Sequence, residues 1–190
     1  MKTLKTPLLL LALCTMLLTT MTCKKDPTKN AVLPPATQAG KNTAGFILNN
    51  EVWVPYAKCG YAWSTNACGK ISGEYHLTGP AESDFSFVFT RKRERAGKSS
   101  YLALYGTKIT STGEKIDSIN VSFRGENSSG NTDYYIGPLM GSKFIITRLD
   151  TVNKIISGEF ELILRESNSS KQITLKNGRF DLQMDVCLCD

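Results

Sequence analysis

The sequence predicts an all-β domain, either an antiparallel β-sandwich or a calycin-like barrel of about nine to ten strands. Three observations predict it. Apolar and polar residues alternate with period two through most of the second half of the chain. Gly, Asn and Pro punctuate that alternation at short intervals. No window of the roughly 11 residues that a periodicity needs carries a helical repeat. Successive side chains of a strand point to opposite faces, so each alternating run has one buried and one wet side.

The N-terminal segment is an address, not part of that domain. Lys2 and Lys5 precede an apolar run from Pro7 to Leu18 broken only by Thr15. Twelve residues of helix rise about 18 Å, too short for a hydrocarbon core of roughly 30 Å, so the run reads as the h-region of an export signal. It ends in Thr20-Met21-Thr22-Cys23, followed at once by Lys24-Lys25-Asp26. Small residues before a cysteine and an abrupt switch to charge resemble a bacterial lipobox. The resemblance implies a signal peptide at 1–22 and a lipid on Cys23 that ties the protein to a membrane. Residues 23–40 contain Pro27, Pro34 and Pro35 among polar residues, which predicts an extended, flexible tether. Residues 41–190 form the domain.

Within the domain, Asn49-Asn50 predicts a tight turn. Phe85, Phe87 and Phe89 form one face of a strand, as do Ile119, Val121 and Phe123. Ile156, Gly158, Phe160, Leu162 and Leu164 share a face opposite Glu159, Glu161 and Arg165. Phe180, Leu182, Met184 and Val186 alternate with Asp181, Gln183 and Asp185, which are expected on the wet side. Asn177-Gly178 predicts a hairpin turn between Ile173–Lys176 and Arg179–Val186. Ile71-Ser72-Gly73-Glu74-Tyr75 and Ile156-Ser157-Gly158-Glu159-Phe160 echo one another, a weak trace of internal repetition.

The formal charge of +6, from 23 Lys and Arg against 17 Asp and Glu, lies largely in the signal and tether. From Lys41 onward 18 basic groups face 16 acidic ones, so a nucleic-acid partner is not expected. His76 is the single histidine, which excludes chemistry needing two imidazoles. It shares a strand face with Glu74 and is expected to be solvated. Glu159 and Glu161 form a same-face carboxylate pair of the kind used in glycoside hydrolysis, yet on a wet sheet face such residues serve solubility. No nucleophile elbow, zinc-binding helix or phosphate loop occurs, so neither cofactor nor metal nor catalytic residue is expected. Cys59, Cys68, Cys187 and Cys189 are disulfide candidates in an exported chain. Cys187 and Cys189 point to one face of a strand, and pairing them with Cys59 and Cys68 would tie the C-terminus to the loop between those two; the rival pairing of Cys59 with Cys68 would close a small local loop instead. A four-thiolate metal site lacks the usual knuckle spacing. Arg91-Lys92-Arg93-Glu94-Arg95 with Lys98 is the densest charge cluster and is expected at an exposed hairpin tip, able to contact anionic lipid or glycan. Tyr101, Tyr105, Tyr134, Tyr135 and Trp63 would make a glycan platform if they converged; Tyr134 and Tyr135 must point to opposite faces.

The opening Leu33-Pro34-Pro35-Ala36-Thr37-Gln38-Ala39-Gly40-Lys41-Asn42-Thr43, with Trp53-Val54-Pro55 beyond it, resembles the start of an uncharacterised lipoprotein family of Bacteroidetes. Ile156-Ser157-Gly158-Glu159-Phe160 and Asn177-Gly178-Arg179-Phe180-Asp181 resemble its closing strands. The resemblance implies a membrane-anchored envelope lipoprotein, periplasmic or surface-facing, but supplies no activity and no catalytic residue. The expected function is a non-enzymatic binding or structural module. The alternatives are a calycin-like carrier of a small apolar ligand and a surface glycan-binding module. Partners are the membrane through the lipid, and a glycan or an envelope protein.

Overall fold

Nine strands of six residues or more and three short ones build the domain in the computed structural model, which describes residues 28–57, 69–79, 82–93, 98–126 and 132–188. In chain order they are β1 (Thr43–Leu48), β2 (Glu51–Trp53), β3 (Ile71–Gly79), β4 (Glu82–Arg93), β5 (Lys98–Thr107), β6 (Gly113–Glu114), β7 (Ile119–Glu126), β8 (Thr132–Gly137), β9 (Lys143–Asp150), β10 (Ile155–Glu166), β11 (Gln172–Gln183) and β12 (Val186–Leu188). Among the described residues the helical content is one 3-10 turn, Ile116–Ser118. All strand pairs are antiparallel, and the order across the sheet is β12-β3-β4-β5-β7-β8-β10-β11-β1-β2, with β9 on β10 and β6 on β9. The two architectures expected from the alternation thus resolve into one sheet, curled into a half-barrel.

The curl follows from particular residues. β10 serves two neighbours along one edge: Ile155–Glu161 pair with β9, and Arg165 and Glu166 pair with β8. At the other flank Tyr56, just past β2, bridges the end of β4. Its N–H donates to the Thr90 carbonyl at 2.9 Å, and the Lys92 N–H donates to the Tyr56 carbonyl at 2.6 Å. Four phenylalanines lie across from glycines in register: Phe87 over Gly73, Phe85 over Gly106, Phe180 over Gly158 and Phe160 over Gly178. A Cβ on Gly73 would stand 2.1 Å from the Phe87 ring, and one on Gly178 2.0 Å from the Phe160 ring. Each ring fills the space a side chain would need, which lets the sheet bend tightly inward. The echo between the segments at 71 and 156 is this local device used twice.

The buried rows are those the alternation predicted. Phe85, Phe87, Phe89, Ile119, Val121, Phe123, Ile156, Phe160, Leu162, Leu164, Phe180, Leu182, Met184 and Val186 all lie in the core. Phe144 stacks on Phe160 and Phe180 at centroid distances of 6.2 and 5.8 Å, and Phe46 stacks on Trp53 at 4.7 Å. Burying each such ring is worth about 1.5–3 kcal/mol, so this continuous aromatic interior stabilises the curled sheet.

Two expectations are corrected. Asn49-Asn50 is a tight hairpin turn, with φ of 51° and 63°, but Asn177-Gly178 is not. β11 runs straight through it. Against β10 the register steps from Phe160↔Gly178 to Leu162↔Leu175, so β11 carries one extra residue there. Asn177 takes φ 50°, and β1 shows the same slip between Gly45 and Ile47. Left-handed Asn next to Gly is as good a bulge as a turn, and neighbours on both sides of β11 hold it as a bulge.

The second correction concerns Asp181. Asp181, on the outer face of β11, is 1% exposed instead of wet. Segment 33–41 lies over it. The Thr37 hydroxyl donates to Asp181 at 2.6 Å, and the backbone N–H groups of Ala39, Gly40 and Lys41 donate at 3.0, 2.8 and 3.1 Å. Ser157 on β10 donates at 2.8 Å from beneath. Arg148 on β9 donates to the Gln38 carbonyl, and Leu33 and Pro34 pack over Gly45 of β1. Strands β1, β9 and β11 therefore hold the strap, and Ser157 of β10 backs Asp181 from beneath. The segment is docked on the sheet.

Candidate functional site

One end of the half-barrel is an open mouth containing a pocket of about 420 Å³. Its position follows from the inward rows. Phe85, Phe87 and Phe89 continue with Arg91, which keeps the same parity and so points inward, 5% exposed. Cross-strand partners share a face, which sets Ser100 of β5 beside Arg91. On β7 and β8, Gly125 faces Asp133 and Phe123 faces Tyr135. Arg91, Ser100, Gly125 and Asp133 thus form a polar layer above the aromatic floor. Trp53 and Leu48 contribute from the β1–β2 hairpin, and Lys171, Gln172 and Ile173 from the β10–β11 connection.

The electrostatics are uneven. Lys171 Nζ lies 3.4 Å from Asp133 Oδ2 and 5.7 Å from the centre of the Tyr135 ring. Tyr135 foremost, and then Asp133, hold the Lys171 amine above the ordinary lysine value, so it stays charged. The Tyr135 hydroxyl also donates to Asp133 at 3.4 Å. The Trp53 indole N–H donates to Ser100 Oγ at 2.9 Å. Arg91 differs from all of these: its buried Nε has no hydrogen-bond partner among the described residues. A buried N–H left without an acceptor is costly, because its lost hydration is not replaced.

Arg91 was expected in an exposed tip with Lys92, Arg93, Glu94, Arg95 and Lys98. The structure splits that cluster: Arg91 turns inward and Lys92 stays exposed. Arg93 ends β4, and the side chains of Arg93 and Lys98 and the whole of Glu94 and Arg95 lie outside the described residues. The tyrosines divide likewise. Tyr135 enters the mouth, whereas Tyr105 and Tyr134 are exposed together on the outer face, lining a shallow groove with Asn120, Ile136 and Arg165. Tyr101 is half-buried opposite Arg124, and Trp63 lies outside the described residues.

The remaining candidates fall elsewhere. His76 is exposed and meets Glu74 at 3.0 Å on the outer face. Glu159 and Glu161 are exposed, each across from a cation, Arg179 and Lys143 respectively. Cys23, Cys59, Cys68 and Cys189 lie outside the described residues; Cys187 sits in β12 opposite Ser72, its side chain also outside them. Among the described residues no three His, Cys, Asp or Glu gather as a metal would require, and no helix is long and apolar enough to cross a membrane. Comparison with protein-family models, with curated proteins and with solved structures returns no match to this chain.

Proposed function

We propose that this chain is a non-enzymatic binding module of the bacterial cell envelope, held to the membrane by lipid on Cys23, with the mouth of the half-barrel as its binding face. The observation that carries the reading is Arg91: a buried cation whose Nε has no partner among the described residues, lining a pocket in which the other described charges, Lys171 and Asp133, meet each other. The lipobox-like Thr22-Cys23-Lys24 and the opening that resembles an envelope lipoprotein family support the location. The apolar-carrier alternative draws no support from the interior, which is filled by Phe46, Phe87, Phe89 and Phe144. A second reading, a glycan-binding surface, rests on Tyr105 and Tyr134 sharing the outer groove with Arg165.

Detergent phase partitioning and a ligand screen test this together. The wild type is expected in the detergent phase, and Cys23→Ser in the aqueous phase or unprocessed. Small molecules extracted from the envelope are expected to raise the melting temperature of the wild type but not of Gln172→Trp, which crowds the mouth. Stabilisation retained by Gln172→Trp and lost in Tyr134→Ala would move the binding face to the outer groove. Membrane retention of Cys23→Ser would remove the lipid anchor from the reading.

A further inference from the structure

We propose that the mouth pocket binds a small organic monoanion, a carboxylate carried on an aromatic or branched apolar body. This deepens the reading of the mouth as the binding face and does not depend on the lipid anchor.

Charge comes first. A guanidinium cannot shed its proton, so Arg91 has no route to neutrality in its buried position. Asp133, the acid lining the same pocket, already meets Lys171 and the Tyr135 hydroxyl. Among the described lining residues the charged ones are Arg91, Lys171 and Asp133, which together carry one net positive charge. A monoanion balances it; a dianion would leave negative charge beside Asp133. The planar guanidinium fork fits a carboxylate through two parallel N–H bonds. Ser100, the cross-strand neighbour of Arg91, accepts from Trp53 and so keeps its own hydroxyl proton to donate. Below this polar layer Trp53, Phe123, Tyr135, Leu48 and Ile173 supply faces for a ring or a branched chain. The absence of a side chain at Gly125 keeps the wall between Ser100 and Asp133 low. The cavity volume lies within the range of about 300–1,000 Å³ that holds small ligands.

Calorimetric titration of the full chain in detergent micelles tests the assignment. The probes are 3-phenylpropionate, its uncharged amide, the tripeptide Ala-Ala-Phe with a free carboxylate, and inorganic phosphate. The acid is expected to bind at least about tenfold more tightly than the amide, the factor a charge-assisted pair is worth. Arg91→Met should lose acid binding by a similar factor while its ligand-free melting temperature rises. Arg91→Lys keeps the charge without the fork and should fall between. The acid–amide comparison is made on the wild type and so stands even if a variant fails to fold. Tighter binding of the tripeptide makes the source a chain terminus, and tighter binding of phenylpropionate makes it a free acid; either supports the site. Equal affinity for acid and amide overturns it, as do wild-type affinity in Arg91→Met, phosphate binding tighter than either carboxylate, and no binding of either acid at about 10 mM. Aqueous-phase wild type that still discriminates acid from amide would sink the envelope reading and leave this site standing.

Discussion

Two buried charges in this sheet are treated in opposite ways. Asp181 is 1% exposed and receives hydrogen bonds from Thr37, Ala39, Gly40, Lys41 and Ser157. Arg91 is 5% exposed and its Nε–H donates to no acceptor among the described residues. Both break the rule that charge stays in water, but only Asp181 is compensated from within. The contrast separates a charge that ties remote segments together from one that, on the proposed reading of the mouth, a ligand would complete.

The largest test of this contrast is Asp181→Ala. It would leave three backbone donors and two hydroxyls facing an apolar gap, and should cost about 3–5 kcal/mol in urea unfolding. Acid provides the next. Burial by itself would raise the Asp181 pKa, but the bonds from Thr37, Ala39, Ser157 and Lys41 outweigh it and bring the value down to about 2. A depressed carboxylate contributes stability above its unfolded pKa of about 3.9, and that contribution drains away as pH falls toward 2. Some 2–3 kcal/mol, in order of magnitude, should vanish across this window, and in Asp181→Asn the slope of stability against pH there should flatten. Ser157→Ala removes one of the five donors and should cost about 1.5–2 kcal/mol. Arg91→Met should go the other way, gaining about 1 kcal/mol, because removing an uncompensated charge from a buried position relieves a penalty. Loss of stability in Arg91→Met would erase the difference between the two sites.

Much of the scaffold was legible because period-two alternation reports one face directly. Phe85, Phe87, Phe89, Phe180 and Leu182 were placed by parity alone, and Asn49-Asn50 by its turn chemistry. Asn177-Gly178 was misread because its conformational signal serves a bulge as well as a turn, and only neighbouring strands decide between them. Arg91 was missed for a different reason. Its parity with Phe89 marked it as inward, but its place at the head of a charge run suggested solvent, and the run was read as a unit. Asp181 could not be foreseen: the groups that bury it lie some 140 residues upstream, in a stretch whose composition says spacer. Local pattern reports which way a side chain points, and not what later lies down over it.

The docked strap also determines how a pull from the N-terminal side would travel. Tension on the chain does not fall on the start of β1 alone; it is first shared with Asp181 of β11, which Ser157 of β10 backs, and with Arg148 of β9. The carboxylate works as a clasp, and the hairpin behind it feels load only after that clasp has opened.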